Sequence, residues 1–412
     1  MNYNRNRHQK TAGVIRYSCG ILFMLFTFCY LFFIQGEILA EAQHVYSNGI
    51  TQYSILIGAI IIAFVLQILQ WLVSLASRLP ARFHALTYVP SSMVLAIISS
   101  VNKDVMVSFS FGAWLWIMPL VLAVYAITVI LIKNLFDESQ DYFKGLKNLL
   151  YTNYIILLAL ILGAGSIPQT SDVYHYELKT ERLLLERDYE AACRVGEKSL
   201  RSSVRLTQLR MYALAQQGLL PERIFEYPQY YGAQGLFDIA DSASSHRFDS
   251  KFIFYMLGAR CHSSVATTDR YFELLLADSL WNQTTADYYL CSLLLENRMK
   301  EFHEKLPLYY NLSDTVVSPY DSLPKAYREA LLVMADADSA YVGKLYFHGD
   351  SVATLSDTAM VSSYREYCGM KTGVPDVLER VNKAHRIFGK TFWWYHDYSD
   401  IAIGEIKKRR KK

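Results

Sequence analysis

The side chains best suited to ligand binding form one run near the end of the chain, Phe392-Trp393-Trp394-Tyr395-His396. Aromatic rings offer broad apolar faces with polar edges, so such a run can bind a sugar, a lipid headgroup or a peptide. It can equally close the core of the last helical hairpin or rest on a bilayer surface, and these structural uses are the commoner ones. The run is therefore a candidate binding surface.

Two carboxylates, Glu37 and Glu41, follow the first apolar stretch of the chain. A carboxylate can activate an acceptor as a general base, or it can hold a divalent cation. These two residues are the candidates for such roles in a catalytic alternative. In the simpler reading they are polar residues of a loop.

Four of the six cysteines lie after residue 168: Cys193, Cys261, Cys291 and Cys368. No C-x-x-C pair occurs, and four cysteines permit three disulfide pairings that the sequence does not rank. Cys193 and Cys291 fall within amphipathic segments, where a free thiol behaves as a small apolar side chain. We expect these two thiols to be buried and free.

The sequence lacks the familiar catalytic and metal-binding motifs. None of the ten histidines forms an H-E-x-x-H pair, and no nucleophile elbow, P-loop or dinucleotide fingerprint is present. Asp336-Ala337-Asp338 is similar to the start of a calcium loop, but Tyr341 occupies the position that requires glycine. The sequence therefore predicts neither a cofactor nor a bound metal, and it favours a non-enzymatic protein.

The net charge differs between regions of the chain, and so do the partners that each region favours. The whole chain of 412 residues carries a net charge of +3, but residues 169–406 carry −7 and the tail 407–412 is entirely basic. An acidic body does not favour nucleic-acid binding. The tail is expected to be solvated, and near a membrane it would attract anionic lipid at about 1 kcal/mol per charge.

Apolar stretches dominate the first 168 residues, and they indicate that the lipid bilayer is a partner of this region. A membrane-spanning helix needs roughly 20 mostly apolar residues. Four stretches satisfy this length, whereas the segment 83–101 is weaker because it contains His84 and Pro90. The five predicted spans are 17–35, 53–76, 83–101, 111–132 and 149–168.

The basic residues of the short loops predict the orientation of the spans. The N-terminus and the second and fourth loops are rich in Lys and Arg, whereas the first and third loops together contain Lys103 alone. This pattern places the N-terminus in the cytoplasm and the chain after Pro168 outside it. Ala40-Glu41-Ala42 imitates a signal-peptide cleavage site, but the preceding apolar run is longer than usual, which favours an uncleaved anchor.

Residues 169–406 are expected to be helical and to contain an internal repeat. The predicted helices include 189–200, 204–216 and 375–388. Residues 183–190 (LLLERDYE) correspond to residues 293–300 (LLLENRMK), with Leu178 aligned on Tyr288 and Ala192 on Phe302. A looser copy lies at 214–219. Thr284 and Asp287 are expected to form a capping box before one of these helices.

The segment 185–200 (LERDYEAACRVGEKSL) resembles a tetratricopeptide repeat, in which paired antiparallel helices stack into a solenoid. The resemblance is degenerate, because no copy contains the complete Trp, Gly and Pro signature. It implies an extended surface for a protein partner. The layout also resembles bacterial multi-pass membrane proteins with helical-repeat tails.

Two hypotheses of function follow for an all-α chain with a membrane domain (1–168), a helical domain (169–406) and a tail (407–412). In the first, the protein lies in the inner membrane and binds a protein partner outside the cytoplasm, in envelope assembly or regulation. In the second, it resembles polyprenyl-sugar transferases, and Glu37 and Glu41 serve a glycosyl or lipid-linked transfer.

Overall fold

Helices make up the regular secondary structure in the described part of the computed structural model, which confirms the all-α class. Cys261 and the tail 407–412, which the sequence analysis singled out, lie outside the described residues. The chain divides into two compact units, unit 1 (Met1–Leu178) and unit 2 (Lys179–Lys412). The structure describes residues 2–100, 113–136, 145–166, 171–237, 247–249, 251–258, 268–277, 282–310, 323–337 and 358–400.

Unit 1 contains five helical segments that are long and apolar enough to cross a membrane, which confirms the number of candidate spans. These segments are Thr11–Ile34, Ile55–Ser77, Ala81–Ser99, Trp114–Leu135 and Leu146–Ser166. The α-helices of unit 1 are α1 (Asn2–Cys29), α2 (Gly36–Tyr46), α3 (Ile55–Ser77), α4 (Val89–Ser99), α5 (Trp114–Leu135) and α6 (Leu146–Ser166). A π-helical turn, Tyr30–Ile34, joins α1 to α2.

The structure of the third span accounts for its low hydropathy. It begins as a 3₁₀ helix, Ala81–Tyr88, and continues as α4, with Pro90 in the first turn of α4 where its missing N–H costs nothing. In its most apolar 18 residues 56% are buried, against 6% in the span formed by α5. Its polar residues therefore face protein, so low hydropathy here reflects a central position in the bundle.

Asn153 of α6 holds the 3₁₀ segment in place. Its side-chain amide donates to the carbonyl oxygens of Ala81 (3.0 Å) and Leu149 (2.8 Å), and its oxygen accepts from the backbone N–H of Ala85 (2.7 Å). A backbone polar group without a partner is costly inside a bilayer. Asn153 thus supplies partners to backbone groups of a span that is not regularly α-helical.

The division between the units falls within α7 (Asp172–Leu185), after Leu178, whereas the sequence placed the domain boundary at 168/169. Tyr174 and Leu178 are buried with Ile38 of α2 in one cluster. The first half of α7 thus packs with α2 as part of unit 1, and this long-range contact has no local sequence signature.

Unit 2 consists of short helices, from 4 to 16 residues long. After the second half of α7 it contains α8 (Tyr189–Arg194), α9 (Val204–Gln216), α10 (Leu220–Arg223), α11 (Lys251–Met256), α12 (Thr268–Ala277), α13 (Gln283–Leu295), α14 (Met299–Tyr309), α15 (Lys325–Ala337), α16 (Thr358–Gly373), α17 (Val377–Phe388) and α18 (392–400). The 3₁₀ turns Ile224–Glu226 and Gly232–Gly235 follow α10.

The three copies of the internal repeat share one turn geometry. Arg187, Gly218 and Asn297 all adopt positive φ angles, of 61°, 70° and 55°. In each copy the next residue's N–H bonds the carbonyl five positions back, as in Asp188 to Leu183 (2.9 Å). This is the Schellman arrangement that ends a helix and reverses the chain.

The start of α13 and the end of α8 correct two details of the sequence analysis. Asn282, not Thr284, caps α13, because its side-chain oxygen accepts the Thr285 N–H at 2.9 Å. The predicted helix 189–200 ends at Arg194, because Val195 is extended and Gly196 has a φ of 60°. The chain from Val195 to Leu200 is therefore irregular.

Candidate functional site

Unit 2 contains a groove of about 650 Å³, within the range typical of ligand sites. Parts of four segments line it: 197–200 after α8, 223–230 after α10, 385–390 at the end of α17, and 394–399 in α18. These segments are distant in sequence, so only the packing of unit 2 brings them together. We call this feature the groove.

Aromatic rings form the floor of the groove. The ring of Phe225 lies 5.2 Å from that of Tyr395 and 5.4 Å from that of Phe392, centroid to centroid. The Tyr395 hydroxyl donates to the Leu295 carbonyl oxygen at 2.6 Å, which fixes its ring against the body of the unit. The floor is thus buried, apolar and rigidly supported.

The buried guanidinium of Arg210 supports one wall of the groove. Arg210 of α9 is 1% exposed, lies 5.3 Å from the Tyr227 ring centroid and donates to the Val195 carbonyl oxygen at 2.6 Å. Burial raises the pKa of Tyr227 to about 12, so this phenol stays neutral. Arg210 therefore joins the irregular segment after α8 to the segment after α10.

The rim of the groove is positively charged. Arg223 is already paired with Glu226 at 2.8 Å. With His385 neutral, the lining has a net charge of +2, from Lys198, Arg223, Arg386 and Lys390 against Glu197 and Glu226. The groove is therefore basic, although residues 169–406 as a whole carry −7.

His385 does not add to this charge at neutral pH. Its ring lies 4.6 Å from the Trp394 ring in an edge-to-face arrangement, and burial lowers the pKa of its imidazole. The Trp394 indole N–H is directed to the Val381 carbonyl oxygen at 3.4 Å. His385 and Trp394 therefore form a neutral, largely apolar part of the wall.

A buried carboxylate positions the helix that carries the floor. Glu329 of α15 accepts the Phe392 N–H at 2.7 Å, and its backbone carbonyl accepts the Trp393 indole N–H at 3.1 Å. Burial raises the pKa of Glu329 to about 7, against the opposing effect of Lys325 3.8 Å away. Glu329 thus acts as an N-cap of α18 from a separate helix.

The predicted aromatic surface is divided between core and groove. Phe392 and Trp393 are 0% and 2% exposed and belong to the interior, whereas Trp394 and Tyr395, 9% and 5% exposed, line the groove. His396 is half-buried, and its Nδ1 lies 3.2 Å from a carboxylate oxygen of Asp397. The run is mainly a structural element, and its Trp394 and Tyr395 give the groove a small aromatic surface.

Glu37 and Glu41 lie on helix α2 and not in the loop that the sequence predicted. The apolar residues between and beside them, such as Ile38 and Leu39, are buried and hold the segment as a helix. Glu41 is 0% exposed, and Glu37 contributes to the electrostatic environment of His175. A fully buried Glu41 is not accessible to an acceptor substrate.

Cys193 and Cys291 are buried free thiols, as expected. Cys193 lies on α8 within 3.5 Å of the Gln217 amide nitrogen, and Cys291 lies 3.8 Å from the Tyr327 hydroxyl. Burial raises the pKa of both thiols, so neither is a nucleophile at neutral pH. Cys368 is a free, half-buried thiol.

Sequence reasoning missed most of the groove. Lys198 and Leu200 fell within the predicted helix 189–200, Arg386 and Ile387 fell within the predicted helix 375–388, and Lys390 followed its end. The signal that was available is the glycine at 196 followed by exposed polar residues, which is typical of a helix end. Among the described residues, no group of three or more His, Cys, Asp or Glu side chains is arranged to hold a metal ion.

Comparison with known proteins adds one match. Residues 259–399 match a family described as a family of unknown function (DUF6057). No curated protein matches the chain. No solved structure matches it either. The matched region includes α12 to α17 and most of α18, and hence the part of the groove formed by α17 and α18.

Proposed function

We propose that this chain is a non-enzymatic integral membrane protein whose unit 2 binds a polypeptide partner outside the cytoplasm. The observation that carries the proposal is the groove, which combines a rigid aromatic floor with an open, charged rim. Protein-binding surfaces typically have this composition, with aromatic and Arg residues enriched at the contact.

The helical hairpins support this proposal. We interpret the three turns at Arg187, Gly218 and Asn297 as degenerate tetratricopeptide-like repeats. Stacked hairpins of this kind provide extended surfaces for partner proteins. The distribution of Lys and Arg in the short loops supports an inner-membrane orientation with the N-terminus in the cytoplasm.

Site-specific photo-crosslinking in intact cells tests the proposal. A photoreactive residue replaces Leu200 or Ile387, which are 63% and 54% exposed at the groove, and Leu308 on α14 serves as the control because it is also 63% exposed. We expect a discrete crosslinked species with Leu200 and Ile387 that is absent with Leu308. Equal labelling at all three positions, or none at the groove, would contradict a binding role.

A reporter fusion tests the orientation separately. An enzyme that is active only outside the cytoplasm, fused after residue 400, is expected to be active. The same reporter inserted in the loop between α3 and the third span, at Arg78, is expected to be inactive. The opposite pattern would place unit 2 in the cytoplasm and limit its partners to cytoplasmic proteins.

A further inference from the structure

We propose that the groove binds an extended polypeptide segment in which acidic side chains alternate with aliphatic ones. This inference rests on the proposed function, and it adds the chemistry of the partner. It follows from the charge of the rim, the apolar side chains beside that charge, and the placement of the cations on two separate segments.

The uncompensated cations at the groove indicate an anionic partner. Lys198, Arg386 and Lys390 have no carboxylate within 4.0 Å in the part of the chain that the structure describes. Arg298, away from the groove, is by contrast paired with Asp269 at 2.7 Å. Charge complementarity selects partners and accelerates encounter, so a basic groove in an acidic body attracts acidic segments.

The apolar side chains beside these cations indicate that the ligand has apolar groups as well as negative charge. Leu200 and Ile387 line the groove and are largely exposed. An aliphatic side chain that packs on them would remove apolar surface from water. A purely anionic ligand would leave this surface exposed.

The distribution of the cations favours a polypeptide over a single phosphate group. A phosphate is usually held by several donors that converge on one point. Here Lys198 belongs to the irregular segment after α8, Arg386 lies in the last turn of α17, and Lys390 follows that helix. Alternate side chains of an extended chain lie about 7 Å apart, so such a chain can contact cations on two separate segments.

The test uses the full-length protein in nanodiscs of phosphatidylcholine, a neutral lipid. Fluorescence anisotropy measures the binding of three short labelled peptides: one alternating Asp or Glu with Leu or Ile, one with Lys in place of the acids, and one with Ser in place of the acids. We expect the acidic peptide to bind at least about tenfold more tightly than the Ser peptide, as a few surface ion pairs would provide. Raising the salt from about 50 mM to about 300 mM should weaken its binding.

Charge-reversal variants link the binding to the groove. The variant Lys198→Glu, Arg386→Glu and Lys390→Glu should lose the preference for the acidic peptide. The control variant carries the same change of charge at three exposed residues outside the groove: Lys179→Glu, Lys300→Glu and Arg365→Glu. We expect the control to bind the acidic peptide as the unmodified protein does.

The outcomes separate this inference from the proposed function. If the Ser or Lys peptide binds as tightly as the acidic one, and Leu200→Glu with Ile387→Glu removes that binding, the groove is a peptide site and the acidic preference is wrong. Equal loss in the groove variant and the control would also overturn the inference. If no peptide binds and the groove positions give no crosslink in cells, the proposed function fails as well.

Discussion

The five candidate spans of unit 1 differ from unit 2 in the polar side chains that they bury. Within the five spans of unit 1 the buried polar groups are amides, hydroxyls and one imidazole, among them Asn153 and Gln70. Unit 2 instead buries charged groups, among them Glu181, Arg205 and Glu329. The difference follows the cost of charge, which is greatest at membrane depth.

The buried groups also perform different tasks. Asn153 supplies partners to backbone groups of the third span, and Gln70 donates to the Thr87 hydroxyl at 2.8 Å between α3 and the 3₁₀ segment. In unit 2 the ion pair of Glu181 and Arg205, at 3.1 Å, joins α7 to α9. Neutral groups thus complete the hydrogen bonding of spans, whereas charged groups tie short helices together.

The largest effect is expected from Glu181→Ala. Removing one partner of a buried pair leaves Arg205 as an uncompensated buried charge, so the change should lower the opening free energy of α7 and α9 by about 3–5 kcal/mol. Hydrogen exchange of the full-length protein in detergent measures this quantity. Glu186→Ala, which breaks the exposed pair with Arg182, is the control and should cost under about 1 kcal/mol. Similar effects of the two changes would refute the special role of the buried charge.

The second effect concerns the pH dependence of α18. The pKa of Glu329 is raised from 4.5 to about 7 in the folded protein, so the folded state binds the proton more tightly. The resulting stabilisation is complete below about pH 4.5 and is lost as the pH rises through about 7, a change of about 3 kcal/mol at most. Hydrogen exchange of residues 392–400, corrected for the intrinsic pH dependence of exchange, should show this decrease.

The variant Glu329→Gln provides the comparison for that pH profile. Its amide oxygen can still accept the Phe392 N–H, but it does not titrate. We expect the opening free energy of α18 in this variant to be nearly independent of pH over the same interval. A slope equal to that of the unmodified protein would show that another group causes it. Glu379→Gln, on an exposed face of α17, controls for the change of residue type.

Asn153→Leu tests the role of the neutral side chains that are buried in unit 1. The change keeps the side-chain volume similar but removes the hydrogen bonds to Ala81, Ala85 and Leu149, so it should destabilise unit 1 by about 2 kcal/mol. Unfolding in mixed detergent micelles measures the loss. Asn148→Leu, at an exposed position of α6, is the matched control and should have little effect. Equal stability of the two variants would mean that the bilayer-embedded backbone needs no such partner.

The smallest effects concern the three repeat turns. Gly218→Ala places a side chain at a φ of 70° and should destabilise α9 by about 1–2 kcal/mol. Arg187→Gly and Asn297→Gly relieve the same conformation and should stabilise their hairpins by up to about 1 kcal/mol. Thermal unfolding of the three variants checks the signs. A stabilising Gly218→Ala, or destabilising glycine variants, would show that the three turns are not equivalent.

The local sequence pattern was sufficient to predict a helix whose start and end are marked by residues within it or next to it. Val204–Gln216 was predicted with its observed bounds, because its apolar period, its N-terminal serine and Gly218 after its end are all local signals. The five spans were predictable for the same reason, since length and hydropathy decide insertion. The end of α8 was not, because a positive φ at Gly196 interrupts an otherwise helical pattern.

The groove depended on contacts that sequence spacing does not record. Trp393 and Trp394 are adjacent in the chain and buried in one apolar cluster, yet only Trp394 also lines the groove, because α18 presents neighbouring residues to different sides. Glu37 and Glu41 were expected in a loop, but they lie on helix α2. Ile38 of this helix packs with Tyr174, a contact that the short local pattern did not indicate.

The sequence by itself therefore determined the helical class, the number of candidate spans and the turns of the repeated hairpins. Each of these follows from periodicity, hydropathy or the conformation of a single residue. Only the tertiary structure decided which aromatic rings line the groove, which carboxylate caps α18 and where unpaired cations border an apolar surface. Those properties arise when segments such as 197–200 and 385–390 meet, and that meeting depends on the packing of the whole unit.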